Sequence, residues 1–240
     1  MLNAHPSPLM LLVQANVEHE HEDAFNAWYY HHMPKLLEIP GFEWARRYVN
    51  VVGPTKYLAL YKIRDATYLD SLLGPDTARR DARANREREK FDALLGLSDV
   101  RSNVYEQLSG SHFSNPFLCD DRPLSVVMAD CVVPEKEQEF NAWYDHSHVP
   151  NLVQIPGYHA GARFRVLEHD ALAWRPQGPK YLALYELENL AAIPALSDPE
   201  KMCDEAAAEL ARWQAYGVPL VDNMQWNVYR PIATHYPFVQ

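Results

Sequence analysis

Two side chains in the second half of the chain are candidates for moving a proton. His148 lies four residues after Tyr144, so both share one face of a predicted helix that Pro150 interrupts. Free carbonyls at such a break favour the imidazolium, and a histidine there suits general acid or base catalysis near neutral pH. Asp130 interrupts the apolar run Ser125–Cys131, where a carboxylate is costly unless it is paired or protonated. We take His148 and Asp130 as candidate catalytic residues.

Both candidates have a structural alternative. His148 could hydrogen-bond the backbone of the broken helix, and its recurrence as His32 favours that interpretation because a shared break would need the residue twice. Asp130 could form a buried ion pair with an arginine on the neighbouring strand. A basic run from Arg79 to Lys90 contains interleaved acidic residues, and we interpret it as a solvated, ion-paired helix face.

Other polar and aromatic residues are candidates for binding a substrate. Arg47 and Arg163 stand in the strands after a repeated Ile-Pro-Gly turn, where a guanidinium can hold a carboxylate or enolate or form an ion pair. His159 has the same strand parity as Arg163, so both point to one face. The aromatic candidates could equally be core residues. The remaining candidates are His32, Asn16, Tyr29, Trp28, Tyr144 and Trp143.

The elements that must position these residues occur twice in the sequence. Four blocks return in the same order: Phe25–Tyr29 as Phe140–Tyr144, Ile39–Gly41 as Ile155–Gly157, Lys56–Tyr61 as Lys180–Tyr185, and Asn103–Tyr105 as Asn227–Tyr229. Such an ordered recurrence predicts two copies of one unit of about 110 residues. Within each copy, the apolar periodicity predicts the element order βαββαβ, which is the ferredoxin-like pattern.

A single sheet of this type leaves one face bare, and that face must be buried. We therefore predict an α+β fold in which two tandem ferredoxin-like βαββαβ repeats close into an eight-stranded antiparallel barrel with helices outside. Two separate domains, or a dimer that pairs half to half, is the alternative. The predicted boundaries are a first repeat at 1–110, a linker at 111–123, a second repeat at 124–230 and a C-terminal tail at 231–240.

The two copies differ in three places. Asp130 aligns with Ala15, and a carboxylate thus replaces a methyl group. His159 aligns with Glu43. The first copy is also one residue shorter within its first helix, because the offset between the copies changes from 115 (140 − 25) to 116 (155 − 39). These differences favour the second half as the seat of activity.

The block Trp143-Tyr144-x-x-x-His148-x-Pro150, followed by Ile-Pro-Gly at 155–157, resembles the EthD-like branch of the dimeric α+β barrel superfamily. The resemblance covers both halves. It implies a superfamily that includes cofactor-free isomerases, polyketide cyclases, quinone-forming monooxygenases, haem enzymes and stress proteins. A fold shared by so many activities leaves the function to the site.

We expect a cofactor-independent acid/base enzyme, of isomerase, tautomerase or cyclase type, that acts on a small conjugated anionic metabolite. The resemblance implies breakdown of aromatic compounds as its pathway. The first alternative is a haem- or oxygen-dependent oxidoreductase, in which His148 or His159 would bind the haem. The second is a non-catalytic binding or stress protein whose pockets are filled by aromatic side chains.

The composition limits the partners. A net charge of −10 over 240 residues argues against nucleic acid and against an anionic membrane surface. No apolar stretch approaches the ~20 residues of a membrane span, and the N-terminus lacks the layout of a signal peptide. The three cysteines are too widely spaced to indicate disulfides or a metal site. We expect a cytoplasmic protein that has a small-molecule substrate and no metal or cofactor, and that pairs as a homodimer through its tail or helix faces.

Overall fold

The computed structural model describes residues 9–110 and 122–237, in which the two halves share the predicted order of strands and main helices. The first half contains β1 (Leu9–Val17), α1 (Glu22–Leu37), β2 (Phe42–Val52), β3 (Tyr57–Ile63), α2 (Leu69–Leu73), α3 (Ala82–Asp92) and β4 (Leu97–Gly110). The second half contains β5 (Leu124–Cys131), α4 (Glu137–Trp143), α5 (Val149–Leu152), β6 (Tyr158–Val166), β7 (Tyr181–Leu187), α6 (Ile193–Ser197), α7 (Asp204–Arg212) and β8 (Val221–Pro237).

The eight strands form one closed antiparallel barrel in the order β1-β3-β2-β8-β5-β7-β6-β4. Two seams join the halves, because β2 pairs with β8 and β4 pairs with β6. The ring closes where β4 pairs with β1, so these strands leave no free edge. The predicted α+β barrel is confirmed.

Side chains fill the inside of the barrel. Strand residues alternate between the two faces of the sheet, and inward-facing residues such as Leu12, Tyr105 and Leu182 form one buried cluster shared by both halves. The helices cover the outer faces, where Phe25 and Phe140 belong to two separate clusters. The filled interior leaves room for a ligand between the sheet and the helices.

The first helix is built differently in the two halves. In the first half α1 continues through Pro34 to Leu37, although the sequence predicts a kink or an end at the proline. In the second half a π-turn at Tyr144–His148 separates α4 from α5 and absorbs the extra residue of the second copy. His32 and His148 are both buried despite this difference. No helix in the described parts of the chain is long and apolar enough to span a membrane.

The last strand extends further than the sequence predicts. Residues 231–237, which we expected to form a tail, continue β8 and pair with β2, where Tyr236 lies opposite Ala45 and His235 lies opposite Arg46. The backbone of this segment is therefore engaged within its own chain and does not form a free arm for a partner subunit. The expected linker at 111–123 lies outside the described residues except for 122 and 123. A homodimer through the helix faces stays a prediction.

One hydrogen bond across the barrel tests its closure. The Gln14 Nε2 in β1 donates to the Tyr229 hydroxyl in β8 over 3.0 Å, and both side chains are buried. We expect Tyr229→Phe to lower the free energy of unfolding by about 1–3 kcal/mol, because the buried amide loses its acceptor. The double variant with Gln14→Leu should lose less than the sum of the single variants. Urea denaturation measures all four proteins, and strictly additive losses would contradict the contact.

Candidate functional site

Each half buries a histidine against a glutamate of its later helix. The His32 Nδ1 lies 2.9 Å from Glu87 Oε2, and the His148 Nδ1 lies 2.7 Å from Glu209 Oε1. None of the four residues is more than 7% exposed. The sequence predicted both histidines and missed both glutamates. The two glutamates occupy matching positions in the two copies, 122 residues apart (209 − 87), and this match is the sequence signal that could have identified them.

The first of these pairs leaves a neutral base at ordinary pH. The hydrogen bond from His32 lowers the pKa of Glu87 to about 2, so this carboxylate is ionised and accepts the Nδ1 proton. Burial lowers the pKa of His32 below its usual 6.5, which favours the uncharged ring at neutral pH. With the proton on Nδ1, the Nε2 carries the free lone pair. This is the arrangement of an oriented general base.

The first half holds the larger cavity, with a volume of about 510 Å³, between its sheet and helices α1 and α3. His32 lines this cavity, and the Trp28 ring stacks on the imidazole with ring centres 4.0 Å apart. Most of the wall is apolar or aromatic. It includes Leu11, Val13, Tyr29, Leu36, Phe42, Tyr61, Leu72 and Phe91. The space therefore suits a flat, conjugated molecule placed beside a base.

The cavity around His148 measures only about 170 Å³. There the Trp213 ring stacks on His148 with centres 5.3 Å apart, and Trp143 stacks on it at 4.9 Å. The offset of 122 residues places the smaller Phe91 at the position of Trp213, and Phe91 contacts Trp28. A larger indole thus occupies the second-half space. The sequence favoured the second half, whereas the larger cavity lies in the first.

Asp130 stands at the end of β5 and binds backbone and amide groups. It is half-buried, its Oδ1 accepts from the Lys180 N–H (2.6 Å), and its Oδ2 accepts from the Asn223 side chain (2.9 Å). It lines neither histidine cavity, and no arginine among the described residues forms an ion pair with it. The structure therefore does not bring Asp130 together with His148. Its contacts hold the end of a strand.

We call this arrangement, in which one side chain accepts from a lysine N–H and also bonds a second polar side chain, the strand-end clamp. The first half contains the same clamp with the carboxylate and the amide exchanged. Asn16 accepts from the Lys56 N–H (2.7 Å) and donates to Asp99 (2.8 Å). The structural counterpart of Asp130 is therefore Asn16 and not Ala15, because a register shift interrupts the pairing of both strands just before the clamp residue. Asn16 does not line the first-half cavity. The apparent gain of a carboxylate in the second copy is a carboxylate–amide swap.

Arg47 and Arg163 support the aromatic layer. Arg47 is 5% exposed and Arg163 is 1% exposed. The guanidinium of Arg47 lies 4.0 Å from the centre of the Tyr29 ring, and that of Arg163 lies 4.4 Å from the centre of the Tyr144 ring. Each also donates to an asparagine of the preceding helix. Neither lines a histidine cavity, but Arg47 lines a separate cavity of about 400 Å³, and substrate binding by the two arginines stays a prediction.

His159 lies at the surface. Its side chain is 43% exposed, and its Nε2 lies 3.9 Å from Glu186. In the first half Glu43 forms an ion pair with Lys62 over 3.1 Å, so the two copies place the acidic partner of this contact on opposite strands. His159 lines neither histidine cavity, and the small space beside His148 does not fit a tetrapyrrole. The two histidines expected to bind haem do not suit that group.

The expected solvated face between Arg79 and Lys90 is only partly solvated. Glu87 is buried against His32, and Arg80 and Arg88 line the first-half cavity. Sequence interpretation treated this run as a uniform surface because acidic and basic residues alternate in it. Three charged residues of this run, Arg80, Glu87 and Arg88, instead line the cavity.

No family model matches the sequence, and no curated protein matches it. Among solved structures, an anthrone oxidase-like protein is 14% identical with a TM-score of 0.68, over 99% of this chain and 95% of that one. A candidate monooxygenase from Fusobacterium nucleatum is 8% identical with a TM-score of 0.62, over 97% and 95%. A candidate chlorite dismutase is 9% identical with a TM-score of 0.57, over 95% of both chains. These similarities show the ferredoxin-like α+β barrel fold.

The exchanged clamps lead to a stability prediction. Asp130→Ala and Asn16→Ala should each lower the free energy of unfolding by about 1 kcal/mol, because each removes a partner from a backbone N–H. Urea denaturation of the two variants measures the losses. An unchanged stability of Asp130→Ala would contradict the structural role given to this carboxylate.

Proposed function

We propose that the chain is an acid/base enzyme, independent of metals and organic cofactors, that deprotonates a small conjugated carbonyl compound at His32. One observation carries the proposal: the His32–Glu87 pair lines a cavity of about 510 Å³ with mainly aromatic and aliphatic walls. The Nε2 takes a proton from the carbon next to the carbonyl. Glu87 holds the ring in the required tautomer and stabilises the imidazolium that forms.

Two tyrosines on the cavity wall can stabilise the negative charge that deprotonation creates on the substrate. The Tyr29 and Tyr61 rings lie 5.6 and 6.4 Å from the His32 ring, centre to centre. Burial raises the pKa of Tyr29 and holds that of Tyr61 well above its usual value, so both hydroxyls stay protonated. Each hydroxyl therefore keeps a proton that it can donate to an enolate oxygen.

The protonated His32 can return the proton to a different atom of the enolate. That outcome is a tautomerisation or an isomerisation, and an internal attack by the carbanion would give a cyclisation. The walls favour a conjugated substrate, and we place the reaction in the breakdown of aromatic compounds.

Among the barrel proteins we assign the chain to the EthD-like branch, on its Trp-Tyr-x-x-x-His-x-Pro block. A purely structural protein with filled pockets would lack the first-half cavity.

An oxidoreductase is the second candidate, favoured by the oxidase-like and monooxygenase neighbours. Deprotonation at His32 would be shared with the first candidate. The carbanion would then transfer electrons to dioxygen and form a hydroperoxide, whose loss of water converts the original CH₂ group to a carbonyl. Oxygen uptake that matches substrate consumption would favour this outcome, and turnover without oxygen uptake would favour isomerisation.

Deuterium exchange tests the base directly. We expect the protein to catalyse exchange in D₂O on a panel of aryl ketones and unsaturated lactones with an acidic C–H bond, followed by NMR. His32→Gln should slow exchange by at least about 100-fold, since general-base catalysis contributes that much. His148→Gln is the matched change in the second half and should leave the rate unchanged, as should Asp130→Asn. Loss in His148→Gln with retention in His32→Gln would reverse the assignment.

The pH dependence gives a separate test. Because burial lowers the pKa of His32, the exchange rate should rise with pH along a limb whose midpoint lies below 6.5 and should level off by neutral pH. Glu87→Gln removes the charge that favours the imidazolium, so it should move this limb to lower pH and reduce the plateau. A limb centred above 6.5, or one unmoved in Glu87→Gln, would contradict the role of the pair.

A further inference from the structure

Three of the four arginines that line the first-half cavity gather around Trp174, although the protein carries a net charge of −10. Arg80 precedes α3, Arg88 lies on α3, and Arg175 comes from the connection between β6 and β7. Their guanidinium groups all lie 5.7 to 5.9 Å from the centre of the Trp174 ring. We call these four residues the arginine cluster.

The positive charge of the arginine cluster is poorly neutralised. Arg88 forms an ion pair with Asp92 over 2.8 Å. Arg80 donates to the carbonyl of Gly74, and within the described residues no carboxylate contacts Arg80 or Arg175. Like charges held this close repel each other, and an anion between them would relieve that repulsion.

Arg175 also carries an unused donor. Its Nη2 donates to the Ser102 hydroxyl over 2.6 Å, while its Nη1 is buried and has no partner in the described parts of the chain. Burial and the neighbouring charges of Arg88 and Arg80 lower the pKa of Arg175 to about 10, which leaves the group charged at neutral pH. A buried charged donor without an acceptor is costly, and a ligand oxygen would satisfy it.

The cluster is specific to the first half. The offset that relates Glu87 to Glu209 places Met202 at the position of Arg80 and Leu210 at that of Arg88. Both apolar residues line the small cavity around His148. Arg175 also lacks a counterpart, because the connection at 167–180 between β6 and β7 corresponds to the short segment 53–56 between β2 and β3.

We propose that the arginine cluster binds a carboxylate of the ligand, so that the first-half cavity accepts small aromatic or conjugated carboxylates. A guanidinium binds a carboxylate through two parallel hydrogen bonds, and Trp174 offers a flat surface to the adjoining ring. The carboxylate lies at the mouth and the conjugated part extends towards His32. The second half thus supplies Arg175 and Trp174 to the cavity of the first. The fate of the ligand rests on the proposed function, whereas its binding does not.

Calorimetric titration with 2-naphthoate and with 2-naphthamide tests this inference, because the two share a ring system and differ in charge. We expect the protein to bind the carboxylate at least about tenfold more tightly than the amide, because one charge-assisted hydrogen bond contributes about that much to the affinity. Arg175→Gln and Arg80→Gln should each weaken naphthoate binding by about tenfold and leave naphthamide binding unchanged. Arg86→Gln, an exposed change on the same helix that does not line the cavity, is the control.

Equal affinity for the two compounds, or no binding of naphthoate, would overturn the proposal. So would a folded Arg175→Gln or Arg80→Gln protein that keeps the preference for the carboxylate. His32→Gln separates the two claims, because it should slow deuterium exchange by at least about 100-fold and retain the binding preference. If naphthoate binds as expected but no panel compound exchanges deuterium, the carboxylate site stands and the proposed function fails.

Discussion

The two half-sheets bury each other's inner faces, and this contact determines where a ligand can bind. A barrel of eight strands has an interior that side chains fill, here with a buried cluster drawn from both halves. The outer faces must then be covered by helices, and gaps can form only between those two layers. Closure also brings the β6–β7 connection of the second half over the cavity of the first. The location of the site therefore follows from the barrel.

Within this repeated frame, a few side chains give the two halves different cavities. Both halves keep the same histidine–glutamate pair and the same indole stacked on the histidine. A phenylalanine in place of Trp213 leaves the first space open, and two arginines in place of apolar residues give it charge. Comparison of the two halves thus separates the residues that build the shared structure from those that give the first cavity its space and charge.

The fold could be predicted because the repeat, the apolar periodicity and the turn residues all indicate the same arrangement. The two histidines and their aromatic neighbours were predictable for the same reason, since they lie in or just after the repeated block Phe25–Tyr29. Glu87 was not, because its helix carries alternating charges and a one-dimensional pattern does not show which of them turns inward. Asp130 misled because the first strands of the two copies align at an offset of 114 residues (126 − 12), whereas the following helices align at 115 (140 − 25). Arg175 reaches the cavity only through contact between the halves, which sequence spacing cannot indicate.

The central claim is that the first half contains the working cavity, with a base at one end and a cluster of positive charge at the other. A crystal structure with a bound aromatic carboxylate, such as 2-naphthoate, tests it most directly. The account predicts density for the ligand between His32 and Arg175, with the carboxylate beside the guanidinium groups around Trp174. Density beside His148 in the second half, or inside the barrel, would contradict it.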